Sequence, residues 1–236
     1  MDAPPYQPAL LAPRAVPAIH AFTWFESALR MFKRAPGRWC LLGAITLVSQ
    51  LLLEWLPGIG IAASNVIVPV IECGMLLGAA ALDRGAPLEI RFAAAAFRAP
   101  VSALAAIVLS SLLVSAVDSL VAYALFGVNL LVDRTDVDLD LWAVLTLGGA
   151  AILASLPFVF IPMAVLLERA TFGRAFATSA RAFSLNIAPL LLYAVLSLGL
   201  LVIGILTYGV GLIAVFPLLT TASYAAWKDI FAAPAS

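Results

Sequence analysis

Six stretches of about twenty mainly apolar residues dominate this chain, and that is the length a helix needs to cross the hydrocarbon core of a bilayer. They fall at roughly 38–56, 61–82, 100–126, 141–167, 188–207 and 210–228. Composition agrees. The chain is 64% hydrophobic and 11% charged, with a mean hydropathy of +1.10, whereas soluble domains are about 45–50% apolar and about 25% charged. A soluble fold of 236 residues has too little interior to hide this much apolar surface. The expected fold class is all-α: a polytopic membrane protein whose six transmembrane helices form three helical hairpins, each preceded by an amphipathic interfacial helix on the cytoplasmic side.

The connections support the hairpins. "PGIG" (57–60) separates the first two stretches and "YGVG" (208–211) the last two, both with residues that end helices and tolerate tight turns. A longer loop, "GVNLLVDRTDVDLD", joins the third and fourth. Cations set the direction, because Lys and Arg stay on the cytoplasmic side. Of the 13 Lys and Arg residues, only Arg134 falls in these three connections. The other segments carry Arg14, Arg30, Lys33, Arg34, Arg38, Arg84, Arg91, Arg98, Arg169, Arg174, Arg181 and Lys228. The expected location is a bacterial inner membrane, multi-pass, with both termini cytoplasmic. The acidic loop (Asp133, Asp136, Asp138, Asp140) then faces outward. Its "DVDLD" is not an EF-hand, because Leu141 and Leu147 stand where that loop needs Gly and Glu.

Residues 1–20 carry prolines at 4, 5, 8, 13 and 17 without an apolar signal core, and read as a disordered cytoplasmic tail. Three units follow, 21–85, 86–170 and 171–236. Each opens with a two-faced segment: "AFTWFESALRMFKRAPGRW", "LEIRFAAAAFRAP" (88–100) and "TFGRAFATSARAFSLNIAP" (171–189). In the first, Phe22, Phe25, Leu29 and Phe32 oppose Thr23, Glu26, Ser27, Arg30, Lys33 and Arg34. Phe92 opposes Arg91 and Arg98 in the second; Phe172, Phe176 and Phe183 oppose Arg174 and Arg181 in the third. Aromatics opposite cations suit a helix lying among headgroups. Arg30, Lys33, Arg34, Arg91, Arg98, Arg174 and Arg181 are accordingly the candidate lipid-headgroup contacts. The junctions "LDRG" (82–85) and "LERA" (167–170) echo each other, as expected of a repeat. Units with an even number of spans keep one orientation, unlike the inverted repeats of many transporters.

The combination "FKRAPGRW", "GMLLGAAALDRGAPLEI", "VLLERATFGRAFATSARAF" and "SYAAWKDIF" resembles an uncharacterised bacterial family of six-span integral inner-membrane proteins. The resemblance covers most of the chain after about residue 20 and implies no catalytic residues. More distantly, the layout is similar to the membrane domain attached to some glycerophosphodiester phosphodiesterases, which implies lipid surroundings by analogy of fold alone.

Ionisable residues inside a bilayer are functional candidates, because each is costly to bury. Gln50 and Glu54 continue a stripe from Thr46; Asn65 and Glu72 share a face of the second span; Asp118 follows Ser111 and Ser115 in the third. No cation lies at the depth of Glu72, so its carboxyl is expected to be protonated at neutral pH and to donate a hydrogen bond. Pro69 frees the carbonyl of Asn65, and Glu72 is expected to help satisfy the backbone loosened there. Gly74 and Gly78 form a GxxxG spacing that admits a second helix closely, and Pro157 and Pro162 are expected to kink the fourth span.

Catalysis is not expected. There is no HExxH, CxxC or P-loop, His20 is the only histidine, and Cys40 and Cys73 lie at depths too different for a disulfide. No cofactor or metal is expected, and zero net charge argues against nucleic acid. The leading expectation is a non-catalytic scaffold, assembly or lipid-organising factor whose partners are membrane lipids and other membrane proteins or a second copy. The alternative is a small-solute or proton-linked transporter using the intramembrane carboxylates. For the topology, a cysteine placed at Asp136 in a background lacking Cys40 and Cys73 is expected to react with an impermeant thiol reagent added outside intact cells. Labelling only after the membrane is opened overturns the orientation.

Overall fold

The computed structural model describes residues 12–56, 59–127 and 141–231, all helix, turn or extended connection. Helices α1 (His20–Arg34), α2 (Pro36–Glu54) and α3 (Gly60–Asp83) are followed by two short 3-10 turns, Ile90–Ala94 and Ala96–Arg98. Then come α4 (Val101–Phe126), α5 (Leu141–Ser155), a 3-10 turn Leu156–Phe158, α6 (Ile161–Leu166), α7 (Phe172–Leu185), α8 (Ile187–Leu206) and α9 (Leu212–Ile230). Residues 57–58 of the first expected turn and the acidic loop at 128–140, expected to face outward, lie outside the described residues.

Five segments are long and apolar enough to cross a membrane: Pro36–Glu54, Gly60–Asp83, Val101–Phe126, Leu141–Phe158 and Ile187–Leu206. Their outward faces are apolar; Leu52, Leu120 and Val195 are among the most exposed large hydrophobic side chains. A fold whose helices are apolar outside as well as inside is one for which lipid is the solvent. The sixth expected segment, 210–228, coincides with α9, which falls short of that hydropathy because "TTASY" and "WKD" interrupt it. Part of that polar stretch is turned inward: Thr221, Ser223 and Tyr224 are buried, whereas Lys228 is exposed. α9 is the hub of the bundle, packed on α1, α2, α3 and α8.

Two close approaches seat the other helices. Pro217 in α9 has no N–H to give the carbonyl of Ile213. Gly43 of α2 packs directly on that carbonyl, which lies 2.0 Å from where a Cβ would stand, so a Cα hydrogen points at the freed oxygen. Gly74 and Gly78, expected to admit another transmembrane helix, instead admit the connector after α3. The Phe92 carbonyl would lie 2.0 Å from a Cβ on Gly74, and Leu88 Cδ1 2.7 Å from one on Gly78. The Arg38 guanidinium donates to the Leu88 carbonyl and pins this connector to the start of α2.

The second two-faced segment therefore differs from the amphipathic helix expected at 88–100. It forms two 3-10 turns, because it must bend along α3 rather than lie straight on a surface, and because Pro100 ends the helical geometry of the residue before it. Of the expected disordered tail, residues 1–11 lie outside the described residues, and 12–19 are ordered. Residues 12–19 run along the bundle, tied by the Arg14 N–H donating to Ile230 O at 2.9 Å and the Val16 N–H donating to Asn186 Oδ1 at 2.8 Å.

Substituting alanine for Gly74 is expected to destabilise the fold by about 1–3 kcal/mol, the usual range for overpacking, since a backbone carbonyl occupies the methyl's place. Gly37→Ala, where nothing lies within 4 Å, is expected to be neutral or stabilising by up to about 1 kcal/mol. Thermal unfolding in detergent micelles checks both; equal effects of the two changes contradict the packing.

Candidate functional site

The sequence candidates inside the bilayer do not come together. Gln50 Nε2 donates to Glu54 Oε1 at 3.1 Å, so these two residues pair along α2. Asn65 contributes its backbone rather than its side chain, accepting the Ser111 hydroxyl of α4 at 3.3 Å. That bond satisfies the carbonyl freed by Pro69, the task expected of Glu72, because Ser111 faces α3 at that level and Glu72 lies about two turns further along the helix. Asp118 sits in the C-terminal half of α4 with its Oδ1 buried and unpaired among the described residues.

Glu72 alone lines a cavity, of about 290 Å³, where α3, α4, α6, α9 and the end of α5 meet. It stands midway along α3, about 17 Å from either end at 1.5 Å per residue. No side chain among the described residues pairs with its carboxyl; the surrounding polar groups are the hydroxyls of Ser110, Ser111, Ser155, Thr220 and Ser223. Each of these hydroxyls already donates its proton to a backbone carbonyl, at 2.7–3.3 Å. Their free lone pairs therefore face the cavity, which presents acceptors around one carboxyl.

One wall of the cavity is the break in the fourth span. Pro157 and Pro162 interrupt the helix between Ser155 and Ile161, the kink expected from sequence. In a bilayer such a break needs internal partners. Ser179, fully buried on α7, provides them: its hydroxyl donates to Pro157 O at 2.7 Å and accepts from the Phe160 N–H at 3.3 Å. The third two-faced segment is thus bound to the broken span through Ser179, a polar residue inside the stripe of Phe172, Phe176 and Phe183.

A second polar assembly lies at the end of the bundle that carries the cations. Asp229 accepts from the Arg14 guanidinium at 2.8 Å and from the Trp24 indole at 2.9 Å, and its Oδ2 lies 2.7 Å from His20 Nδ1. Asn186, fully buried, ties the same N-terminal segment to α7 by donating to Arg14 O and Ala182 O. Lys228 donates to Asp83 at 2.7 Å, and Tyr224 to the same carboxyl at 3.1 Å, so the "LDRG" and "KDIF" junctions meet in space. α1 is held on α9 by Ala21, Trp24, Ala28 and Met31, a face adjacent to the one formed by Phe22, Phe25, Leu29 and Phe32. Phe22 and Leu29 stay exposed, while Phe25 stacks on Tyr193 with ring centroids 5.5 Å apart. Trp24, Asp229 and Ser179 are the positioning residues that periodicity missed. Their partners lie tens to hundreds of residues away, so the motifs that contain them did not single any of them out.

Of the candidate headgroup contacts, Arg30 is bound to Glu26 and Ser27, and Arg91 to Glu89. Lys33, Arg34, Arg98 and Arg181 are exposed, and their side chains have no partner among the described residues. Arg174 is also exposed but engaged within the protein. No group of three metal-ligating side chains occurs among the described residues. The architecture is that of a multi-pass α-helical membrane protein. Compared with protein families, curated proteins and solved structures, the chain matches none.

The Asp229 assembly makes a pH prediction. Burial alone raises this carboxyl, but the bonds from Trp24, His20 and Arg14 outweigh it and hold it below its ordinary value. A depressed carboxylate contributes stability that is complete above its unfolded value of about 3.9 and is lost as pH falls through the lower folded value. Asp229→Asn is therefore expected to lower stability by about 1.5–3 kcal/mol at pH 6. The gap from the unchanged protein is expected to close below about pH 4. Thermal melts across that range check it; a gap independent of pH contradicts the assignment.

Proposed function

We propose that this is a non-catalytic bacterial inner-membrane protein that organises lipid or assembles membrane partners at its cytoplasmic face. Its six spans form three hairpins, with α9 as the sixth and both termini cytoplasmic. The observation that carries this reading is the platform at the cationic end. Asp229 locks α1, the 12–19 segment and the end of α9 together, Asp83 ties the end of α9 to α3, and Asn186 ties the 12–19 segment to α7. Around that fixed assembly, Lys33, Arg34 and Arg181 are exposed, and their side chains make no hydrogen bond or ion pair among the described residues. A basic surface held rigid at the headgroup level attracts anionic lipid, with about 1 kcal/mol for each cation near the surface. The exposed Phe22 and Leu29 give α1 an apolar edge to seat in the leaflet. Purification from native membranes followed by lipid and protein mass spectrometry tests this. Anionic lipid or a defined membrane partner is expected with the unchanged protein, and less of it with the triple variant K33Q/R34Q/R181Q. Equal recovery by both proteins sinks the reading.

The cavity around Glu72 favours a second reading, proton- or cation-linked passage of a small solute. A lone carboxyl among spent hydroxyls suits a ligand that brings its own hydrogens. The pathway through Gln50, Glu54, Asn65 and Asp118 loses support, since none of them lines that cavity. Glu72→Gln separates the two readings. Under the lipid-organising reading it leaves membrane insertion, melting temperature and lipid recovery unchanged. Under the second it abolishes solute-dependent proton or cation flux in proteoliposomes of the purified protein.

A further inference from the structure

We propose that the cleft between the start of α4 and the end of α6 binds an anionic glycerophospholipid, with the lipid phosphate between Arg98 and Arg169. The cleft holds about 450 Å³ and has walls of Leu77, Ala103, Val165 and Leu166. Both arginines line it, Ser102 adds a hydroxyl, and no acid is among its lining residues. Neither guanidinium has a partner among the described residues. The larger cleft beside α1 is different. It brings Arg30, Arg34 and Lys228 together with Asp83 and Asp229, which offset them.

The chemistry on the two sides of the cleft selects an amphiphile. Two forked guanidiniums match a phosphate and its paired oxygens. The apolar walls run between two membrane segments, Val101–Phe126 and the end of the fourth span, and have no use for a freely soluble anion. The site lies at the ends of those segments, where headgroups meet acyl chains, and Val101 beside it is exposed to the surroundings. Arg169 sits there at the expense of its backbone, with φ at 53°, in the left-handed region that favours glycine. Only Arg98 of the two stands in a two-faced segment, so sequence pattern alone did not pair them. The inference rests on the lipid-organising reading and names its ligand and place.

The test uses the full-length protein in detergent micelles and native mass spectrometry with added phosphatidylglycerol, phosphatidylcholine or inorganic phosphate. Phosphatidylglycerol is expected to be retained in preference to phosphatidylcholine. Retention is expected to weaken about fivefold for R98Q or R169Q and on the order of 25-fold for the two together. R169G guards against a folding artefact: it relieves the left-handed backbone, so it is expected to melt no lower than the unchanged protein while losing lipid as R169Q does. Unaltered retention by the double variant overturns the site, as does absence of a headgroup preference. Protection from unfolding by inorganic phosphate equal to that by phosphatidylglycerol overturns the lipid as its ligand. Failure here with the K33Q/R34Q/R181Q effect intact leaves the broader lipid reading standing without this cleft.

Discussion

Inside a bilayer every backbone polar group must find its partner within the protein, and the prolines of this bundle turn that demand into architecture. Pro69 releases the carbonyl of Asn65, and Ser111 of α4 takes it. Pro217 releases that of Ile213, and Gly43 of α2 comes close enough to cover it. The break at Pro157 exposes a carbonyl and an amide that Ser179 of α7 holds together. Each lesion in one helix is repaired by a specific residue of another, so the repairs set which helices touch and at what height. In lipid, where apolar contacts between helices have little advantage over apolar contacts with acyl chains, such local obligations specify packing better than hydrophobicity does.

That also separates what was legible in the sequence from what was not. Helix positions were legible to within a few residues, because length and apolarity are local properties. The inward and outward faces were not. Trp24 and Phe22 are both apolar, yet one is buried on α9 and the other is exposed, and no periodicity tells a lipid-facing stripe from a protein-facing one. The small pair Gly74 and Gly78 marked a close approach correctly but not its partner, a 3-10 connector whose alanine run reads as helix. In the candidate site, Glu72 stood out because a lone carboxylate in an apolar run is conspicuous. The hydroxyls around it did not, since serines and a threonine scattered over three segments converge only in three dimensions.

The polar centres divide the molecule by depth. At mid-height Glu72 faces a cavity among groups whose protons are already given away. At the cationic end, Asp229 and Asp83 are both engaged by cations. α9 joins the two levels: Thr220 and Ser223 line the cavity, and Tyr224, Lys228 and Asp229 build the platform. A displacement of this helix along its axis therefore moves both levels together.

The pairing of Arg14 with Asp229 spans 215 positions of the chain. A ribosome makes Arg14 long before Asp229, so the 12–19 segment has no such acceptor until α9 has been synthesised. The seating of α1 and of the segment before it therefore waits on α9. A chain halted before α9 leaves Trp24, Arg14 and the inner face of α1 uncovered.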